Sequence, residues 1–368
     1  MLEKNTWAEL KKHETQVKKL TAFVGFDGTV DKIVAAVDKR TGKGENFEPI
    51  ATIADLGKRI SAAAGKSTNI ELFLKQQKIG GNAAIMAGSL CAAGAKVTLV
   101  GDLGKPKIHG VFGELGKRAT LLSVGEPTET HAVEFADGKV MLGYTRNHEE
   151  ITFENVQRAM GGKAKMLQRL NAAQLVALVN WTMTPGMTEI FEKLVKDVLP
   201  KMKKGRVFFF DLADPEKRPV KELKEALIKI GRFAKFGDVI LGMNFKETQQ
   251  AMAAMGLGNV EETRQSIQTA ARKICQALGI GCVVVHTVDA AGCATDDGEF
   301  WTPGPYISKP KITTGAGDHF NAGFALAMTA GASEPAALML GVAFSGHYVR
   351  TGKSPNMTDA LAMIRRGW

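Results

Sequence analysis

Residues 313–324, TTGAGDHFNAGF, place three small residues and one carboxylate at the start of an amphipathic pattern. Glycines let the backbone turn tightly and bring its amide N–H groups to a ligand, and a helix N-terminus adds partial positive charge. Gly315, Ala316 and Gly317 are therefore candidates for an anion-binding turn. Asp318, in the first turn of the helix, can either cap the helix or accept the proton of a hydroxyl group that attacks phosphorus. The spacing alone leaves both interpretations open.

Six β-rich apolar runs alternate with helical patterns along the chain. They are TAFVGF, KVTLVG, AQLVALVNW, RVFFFDL, GDVILGM and GCVVVHT. Continuous apolar runs suit strands that are buried on both faces, as in a parallel sheet covered by helices. Residues 185–199 and 219–233 carry apolar side chains at three- and four-residue steps and are long enough to cross over. The sequence predicts an α/β fold with a doubly wound, mostly parallel central sheet flanked by helices, and ligands at the carboxyl ends of its strands.

Two segments interrupt this alternation. Residues 31–78 contain Gly- and Lys-rich linkers around a predicted helix at 50–64, and residues 131–145 have the pattern of a hairpin that turns at Asp137-Gly138. Together with TAFVGFDGTV these segments predict a small β lid over the main sheet. The predicted main domain spans residues 21–368, with lid segments at approximately 22–48 and 128–147, and residues 1–20 are predicted to form a surface helix.

Composition places the chain among ordinary globular proteins. It has 368 residues, of which 45% are hydrophobic and 23% charged. No run approaches the roughly 20 apolar residues of a membrane-spanning helix, and the N-terminus lacks the apolar centre of a secretion signal. We therefore expect a cytoplasmic protein without membrane contact. The four cysteines show no CxxC pair, which favours buried free thiols over a metal site or disulfides.

The formal charge of +10 raises the question of a nucleic-acid partner. Lys and Arg are spread along the chain as KK, KR and RR doublets, without a clustered stripe or interleaved aromatic residues. Nucleic acid is therefore not an expected partner. The excess charge instead helps attract anionic small molecules, an effect on encounter rate.

The segment TTGAGD resembles the second signature of the ribokinase-like sugar kinases, the PfkB family. In that family the loop binds the transferring phosphoryl group and its Asp is the catalytic base. The resemblance assigns the base to Asp318, phosphoryl binding to residues 315–317 and a cofactor contact to Thr314.

The segment GGNAAIMAGSLCAAGAKVTLVGDLG resembles the first signature of the family. There a glycine pair and a nearby Asn contact the sugar. This implies substrate binding by Gly80, Gly81 and Asn82. VGFDGTVD resembles the opening strand of the family, whose Asp accepts hydrogen bonds from substrate hydroxyl groups and corresponds to Asp31 here.

Two further segments resemble the nucleotide site of these kinases. NFKE matches the NxxE motif that helps hold hydrated magnesium and phosphate, which implies cofactor binding by Asn244 and Glu247, with Glu247 holding Mg²⁺ through water. VVVHTVDAAGCATDDGEFWTPG resembles the segment that wraps the nucleotide, with Thr287 and Gly292 at matching places. The five matches follow the order of the family and cover about residues 21–355.

Three positions depart from the family pattern. Ile312 stands where an Asp commonly helps to form a monovalent-cation site, Ile85 replaces a second Asn, and Asp289 replaces a glycine of the nucleotide loop. The HT pair at residues 286–287 and GGNAAIMAG also resemble the ADP-dependent sugar kinases of the same superfamily. The donor is therefore left open between ATP and ADP.

Four other polar residues invite a role in the site. His319 is expected to face solvent or the nucleotide cleft, and His286, at the end of an apolar strand, to be a satisfied core residue. Asp211 and Asp214 follow RVFFF at the carboxyl edge of the sheet, where ligands collect. One of them is a candidate for contact with magnesium or phosphate, although helix capping is the expected role.

The resemblance implies a kinase that moves the γ-phosphoryl group of ATP to a hydroxyl group of a sugar or sugar-like alcohol, with Mg²⁺ on the phosphates. An ordinary Asp pKa of about 4 is sufficient for such a base. Three alternatives stay open: a nucleoside kinase, an ADP-dependent sugar kinase, and a catalytically weak ligand-binding regulatory protein. Lid strands in this family often pair between subunits, which implies a homodimer through the lid.

Overall fold

The computed structural model of the chain describes residues 2–144 and 146–368. Met1, in the predicted N-terminal helix, and Thr145, in the second predicted lid segment, lie outside the described residues. The described part contains a nine-stranded sheet and a five-stranded sheet. In chain order the strands are β1 (Thr21–Phe26), β2 (Thr29–Arg40), β3 (Phe47–Pro49), β4 (Leu72–Gly80), β5 (Lys96–Gly101), β6 (Ala119–Ser123), β7 (Thr128–Phe135), β8 (Gly138–Tyr144), β9 (Leu175–Val179), β10 (Val207–Asp211), β11 (Asp238–Asn244), β12 (Cys282–His286), β13 (Ala290–Thr295) and β14 (Gly298–Pro303).

Helices flank the large sheet and one lies beside the small sheet. They are α1 (Leu2–Val17), α2 (Ile53–Ala62), α3 (Asn82–Ala93), α4 (Gly113–Gly116), α5 (Phe153–Ala159), α6 (Lys163–Ala172), α7 (Met187–Lys193), α8 (Val220–Gly231), α9 (Phe245–Met255), α10 (Arg264–Leu278), α11 (Ala316–Thr329), α12 (Glu334–Thr351) and α13 (Met357–Arg366). None of the helices in residues 2–144 and 146–368 is both long and apolar enough to cross a bilayer.

The large sheet has the strand order β14-β13-β12-β11-β10-β9-β1-β5-β6. In this sheet β6, β5, β1, β9, β10, β11 and β12 are parallel, and β13 and β14 are antiparallel strands at one edge. All six apolar runs form strands of this sheet, which confirms the predicted α/β class. TAFVGF is one of them: β1 pairs with both β5 and β9, so the small sheet begins at Thr29 and not near residue 22.

Two apolar cores cover the two faces of the large sheet. Successive side chains of a strand point to opposite faces, so Phe209 joins the core under α3, α11 and α12, whereas Phe208 and Phe210 join the core under α5 to α10. All four cysteines are buried in these two cores. The helix α1 packs Leu10 and Val17 into the first core.

The small sheet, called the lid below, consists of β2, β3, β4, β7 and β8. Its order is β3-β2-β7-β8, with β4 also paired to β2. The predicted hairpin is formed by β7 and β8, and its last pair joins Phe135 to Gly138. The strand β4 lies outside the predicted lid bounds, because residues 72–80 lack the alternation typical of a half-buried strand. The lid has one small apolar cluster of its own among the described residues, formed by Val34, Ala36, Ile50 and Val133.

A buried histidine–aspartate pair joins the lid to the large sheet. Asp102, directly after β5, accepts hydrogen bonds from the Gly28 amide (2.5 Å) and from His148 Nδ1 (2.6 Å). The other ring nitrogen of His148 lies 3.4 Å from Thr128 Oγ1, at the start of β7. The pair thus fixes both points at which the chain crosses from the large sheet into the lid.

Candidate active site

The site begins at the carboxyl end of β1. On one side of β1 the sheet continues through β5 to β6, and on the other side it continues through β9 to the later strands, so the strand order reverses at β1. Such a topological switch point is where open α/β sheets bind ligands. Asp27 follows β1 there and is fully buried. Its carboxylate accepts hydrogen bonds from the amides of Ala83 (2.6 Å) and Asn82 (2.9 Å) and from Asn180 Nδ2 (2.6 Å). Asp27 therefore caps α3. The sequence motifs assign no role to Asp27. Its position directly after a buried strand is the feature of the sequence that could have identified it as a site residue.

The glycine pair before α3 makes room for two carboxylates. A Cβ atom at position 80 would lie 2.3 Å from Asp31 Oδ1, and one at position 81 would lie 2.9 Å from Asp27 Oδ2. Gly81 also has φ +86°, which side chains with a Cβ atom rarely adopt. Both positions therefore require glycine, so that the chain passes directly against these acids.

The predicted substrate ligand Asp31 lies on β2 and is buried. Within the described residues its carboxylate has no hydrogen-bond partner in the protein, so it is available to a ligand. Burial raises its pKa, while the charges of Lys78 and Lys139 act in the opposite direction. Asp31, Lys78 and Lys139 line a cavity of about 1130 Å³ beneath the lid, called the acceptor cavity below.

The predicted base Asp318 lies in the first turn of α11 and is buried. Its Oδ1 accepts a hydrogen bond of 2.9 Å from Asn82 Nδ2, which connects two residues of the predicted site across 236 positions of the chain. Burial raises the pKa of Asp318 to about 7; the Asn82 hydrogen bond opposes this shift, and the charges of Asp27, Glu247 and Asp31 add to it. The sequence-based expectation of a pKa near 4 neglects this burial.

Not all of the backbone amides predicted to bind an anion in residues 315–317 are free to do so. Gly315 has φ +93°, as a left-handed turn residue. The Ala316 amide donates to the Thr313 carbonyl (3.0 Å), so this predicted donor is already used inside the turn. The amides of Gly315 and Gly317 donate to no acceptor within the described part of the chain. Two of the three predicted amides are thus available to an anion.

The side chains of His319 and Tyr348 form hydrogen bonds to backbone carbonyls of the turn. His319 is buried and does not face solvent or the nucleotide cleft as expected; its ring stacks on Tyr348 at 3.7 Å. His319 Nδ1 lies 2.7 Å from the Gly315 carbonyl and Nε2 2.8 Å from Ser354 Oγ. The Tyr348 hydroxyl donates to the Thr314 carbonyl at 3.0 Å.

The protonation state of His319 follows from its partners. Burial lowers its pKa to about 4, so the ring is neutral at physiological pH. The Gly315 carbonyl can only accept, which places the hydrogen on Nδ1 and lets Nε2 accept from Ser354. Because C=O and N–H point oppositely across a trans peptide, the bond from Tyr348 to Thr314 also sets the direction of the Gly315 amide.

A second cavity of about 450 Å³, called the nucleotide cavity below, lies on the other side of the turn. Ala316 and Gly317 line it, together with the predicted cofactor residues Asn244 and Thr287. His286 also lines it; burial lowers the pKa of His286 to about 4, so a neutral ring faces the cavity. Thr313 lines both cavities, and the turn therefore separates them.

Two predicted cofactor residues do not line either cavity. Gly292 lies in β13, where a Cβ atom would approach the Trp301 ring to 2.7 Å, so its glycine serves strand packing. Glu247 accepts hydrogen bonds from the amides of Asn244 (2.8 Å) and Asp214 (2.9 Å). Asn244 Oδ1 in turn accepts from the Glu247 amide, which completes a capping box on α9.

The acidic side chains near the turn fit a hydrated cation. Asp211 Oδ1 is buried and has no hydrogen-bond partner among the described residues, and Oδ2 accepts from Asn321 Nδ2 at 2.6 Å. Burial raises the pKa of Asp211, and the charges of Glu247 and Asp318 raise it further. A nearby cation relieves this repulsion. Since no three acidic, His or Cys side chains converge into a chelating group in the described ranges, such an ion would be held largely through water.

The three departures from the family pattern have defined positions. Ile312 lines the acceptor cavity. The Ile85 side chain packs beneath the turn, within 3.3 Å of where a Cβ atom at Gly315 would lie. Asp289 accepts a hydrogen bond from Thr287 Oγ1 (2.9 Å), which ties its carboxylate to the loop.

Comparisons with known proteins show the family and the fold of the chain. A family model described as prokaryotic ketohexokinase matches residues 8–366. A ketohexokinase of Haloferax volcanii is 28% identical over 349 residues, which are 94% of this chain and 90% of that protein. The ribokinase of Thermotoga maritima superposes with a TM-score of 0.64 at 18% identity over 95% of this chain and 100% of its own. A ribokinase of Arabidopsis thaliana, complexed with ribose and ATP, superposes with a TM-score of 0.63 at 18% identity, over 94% of this chain and 98% of its own. At these identities the two structures show a shared fold.

Proposed function

Since the chain belongs to the prokaryotic ketohexokinase family, we propose that it transfers the γ-phosphoryl group of ATP to a hydroxyl group of a ketohexose, with Asp318 as general base. The family makes the protein a carbohydrate kinase, a phosphotransferase with an alcohol acceptor. One observation carries the finer assignment. A buried carboxylate and two unused backbone amides lie together on a turn that separates two cavities, one on each side.

In the proposed reaction the acceptor lies under the lid and the nucleotide lies against α12. Asp31 accepts hydrogen bonds from acceptor hydroxyl groups, and Asn82 holds Asp318 in place. As the hydroxyl oxygen bonds to the γ-phosphorus, its proton passes to Asp318 and the bond to ADP breaks. The amides of Gly315 and Gly317 donate to the phosphoryl oxygens, whose charge is spread in the transition state.

Magnesium fits beside this turn. Asp211 and Glu247 would hold it through water, and it supplies neutralisation of phosphate charge. Each carboxylate oxygen of Glu247 already accepts one backbone amide. Only the remaining lone pairs of these oxygens are available to water on the magnesium ion, which is why Glu247 is proposed to act through water.

A nucleoside acceptor is the second candidate. The acceptor cavity, about 1130 Å³, is larger than the nucleotide cavity of about 450 Å³, so its size leaves room for a base as well as a sugar. Its lining includes two aromatic side chains, Phe135 of the lid and Tyr348 of α12, on which a base could stack. The family, rather than this lining, favours the sugar as acceptor.

The proposal is tested by coupled assays of the purified protein with Mg²⁺ and either ATP or ADP as donor. Acceptors are ketohexoses, aldohexoses, polyols and nucleosides. We expect turnover with ATP and a ketohexose at the highest kcat/KM. Turnover only with nucleosides would establish the second candidate, and turnover with ADP alone would replace the donor. Nucleotide binding without turnover of any acceptor would identify a ligand-binding regulatory protein.

The raised pKa of Asp318 predicts a pH dependence. A base must be ionised to accept a proton, so kcat/KM for the acceptor is expected to fall about tenfold per pH unit below about pH 7. The measurement is kcat/KM from about pH 5 to about pH 9 at saturating nucleotide. In Asn82→Ala, loss of the hydrogen bond that favours the ionised form is expected to move the midpoint upward. A flat profile across this range contradicts the role of Asp318.

The Tyr348 hydroxyl is expected to matter for turnover more than for binding. Tyr348→Phe keeps the stacking on His319 and removes only the bond to the Thr314 carbonyl, so kcat should fall about tenfold with an unchanged acceptor KM. Steady-state kinetics and the melting temperature are measured together. Tyr144→Phe, at an exposed lid tyrosine, is the matched control. Loss of melting temperature without loss of kcat would make the hydroxyl merely structural.

A further inference from the structure

One lid lysine reaches the anion-binding turn. Lys139, the second residue of β8, donates a hydrogen bond from Nζ to Thr314 Oγ1. Thr314 directly precedes Gly315, whose amide is unused, so the ammonium group lies next to the donors that are proposed to receive the phosphoryl group. This is a direct side-chain bond from the tip of the lid to the turn.

Lys139 forms no ion pair with the described residues of the protein. Two of the other lid lysines have acidic partners: Lys32 pairs with Glu129 at 2.6 Å and Lys75 with Glu134 at 3.8 Å. In the described part of the chain no carboxylate lies within ion-pair distance of Lys139. Its charge does act on Asp31, where it opposes the rise of the pKa caused by burial. The ammonium group is therefore near both the acceptor ligand and the phosphoryl-binding turn.

The segment between β3 and β4 fixes the hairpin tip that carries Lys139. The Ile53 amide, at the start of α2, donates to Asp137 Oδ1 (3.0 Å), and the Ala136 amide donates to the Ala51 carbonyl (2.9 Å). A Cβ atom at Gly138 would lie 3.2 Å from Ile53 Cδ1, so glycine lets the tip approach α2 closely. The tip thus has a defined position from which Lys139 extends.

We propose that Lys139 is a catalytic residue supplied by the lid, which donates hydrogen bonds to the oxygens of the transferring phosphoryl group beside the amides of Gly315 and Gly317. This inference rests on the proposed kinase function. Charge that develops on these oxygens is stabilised most by donors already in place in a site from which water is excluded. Because Lys139 reaches the turn only from the lid, the donor set is complete only when the lid covers the acceptor. Transfer to water in the absence of an acceptor is thereby disfavoured.

Kinetics of Lys139→Met test this role, with Lys139→Arg as the charge-conserving variant and Lys32→Met, at a lid lysine that lines neither cavity, as the matched control. We expect Lys139→Met to lower kcat about 100-fold, with the acceptor KM changed less than about threefold. Lys139→Arg should retain more activity than Lys139→Met, and Lys32→Met should resemble wild type. Binding of MgADP with aluminium fluoride, a mimic of the transferring phosphoryl group, should weaken in Lys139→Met, whereas binding of MgADP alone should not.

The anchoring of the tip provides a second variant. Asp137→Ala removes the bond to Ile53 but keeps Lys139, and is expected to lower kcat about tenfold. The double variant Asp137→Ala/Lys139→Met should be no slower than Lys139→Met, because the anchor acts only through the lysine. Melting temperatures show that the variants fold.

The outcomes separate this inference from the proposed function. An active wild type with an unchanged kcat in Lys139→Met overturns the role of Lys139 alone. A raised acceptor KM with unchanged kcat also overturns it and makes Lys139 an acceptor ligand. A wild type without turnover on any sugar or nucleoside overturns the function and this inference together.

Discussion

Asp318→Asn is expected to lower kcat about 10³-fold or more and to leave nucleotide affinity within about twofold of wild type. The substitution keeps the size of the side chain and an oxygen that can still accept from Asn82 Nδ2, but the amide cannot take a proton from the acceptor. Ground-state binding of nucleotide should persist, since the available amides of Gly315 and Gly317 and the lining of the nucleotide cavity are unchanged. Steady-state turnover and equilibrium binding of MgATP are measured on the same preparation.

Asp297→Asn is the matched control for this substitution. Asp297 is an exposed carboxylate in the turn between β13 and β14 and lines neither cavity. Its replacement should change kcat by no more than about twofold, as for a surface site. Retention by Asp318→Asn of more than about a tenth of wild-type turnover would refute the role of Asp318 as base.

Asp27→Ala is expected to lower the free energy of unfolding by about 3 kcal/mol or more. The fully buried carboxylate accepts from two backbone amides of α3 and from the Asn180 side chain, and alanine leaves these three donors buried without partners. The start of α3 also positions Asn82 and thereby Asp318, so turnover should be lost as well. Urea unfolding at equilibrium measures the change in stability.

Asp359→Ala provides the comparison for Asp27. Asp359 completes the capping box of α13 by accepting from the Asn356 amide at 3.2 Å, close to solvent. Its loss is expected to cost about 1 kcal/mol, because water can replace an exposed cap. A cost for Asp27→Ala no greater than that for Asp359→Ala would show that burial adds nothing to the role of Asp27.

The lid and the turn depend on each other through a few contacts. Asp102 and His148 fix the two crossings into the lid, and Lys139 connects the hairpin tip back to Thr314. The lid itself has only a small apolar cluster, whereas the large sheet is covered by extensive cores on both faces. An element with few buried apolar contacts opens at lower free energy than the rest of the protein. This suits a cover that must admit a sugar and then exclude water.

Local patterns sufficed for the architecture and for the position of the proposed base, Asp318. The six apolar runs form six of the seven parallel strands of the large sheet in the described residues, all but β6, because burial on both faces demands continuous apolar residues. The hairpin forms between β7 and β8 as predicted, since turn chemistry is local, but its two-residue turn is Ala136-Asp137, one residue before the predicted Asp137-Gly138. Glycines before a helical pattern placed Gly315 on a left-handed turn and Asp318 in the first helical turn.

Long-range contacts decided the remaining features of the site. Asp27, Tyr348 and Lys139 act on residues 55, 34 and 175 positions away, and no local pattern encodes such partners. The pKa of Asp318 depends on burial and on the charges of Asp27, Glu247 and Asp31, which come from separate parts of the chain. Sequence thus determined which segments turn, pair and carry acids, because backbone preferences and burial periodicity are properties of short segments. Tertiary structure alone determined which amides stay unused and which acid holds its proton near neutrality, because both depend on what other segments bring into contact.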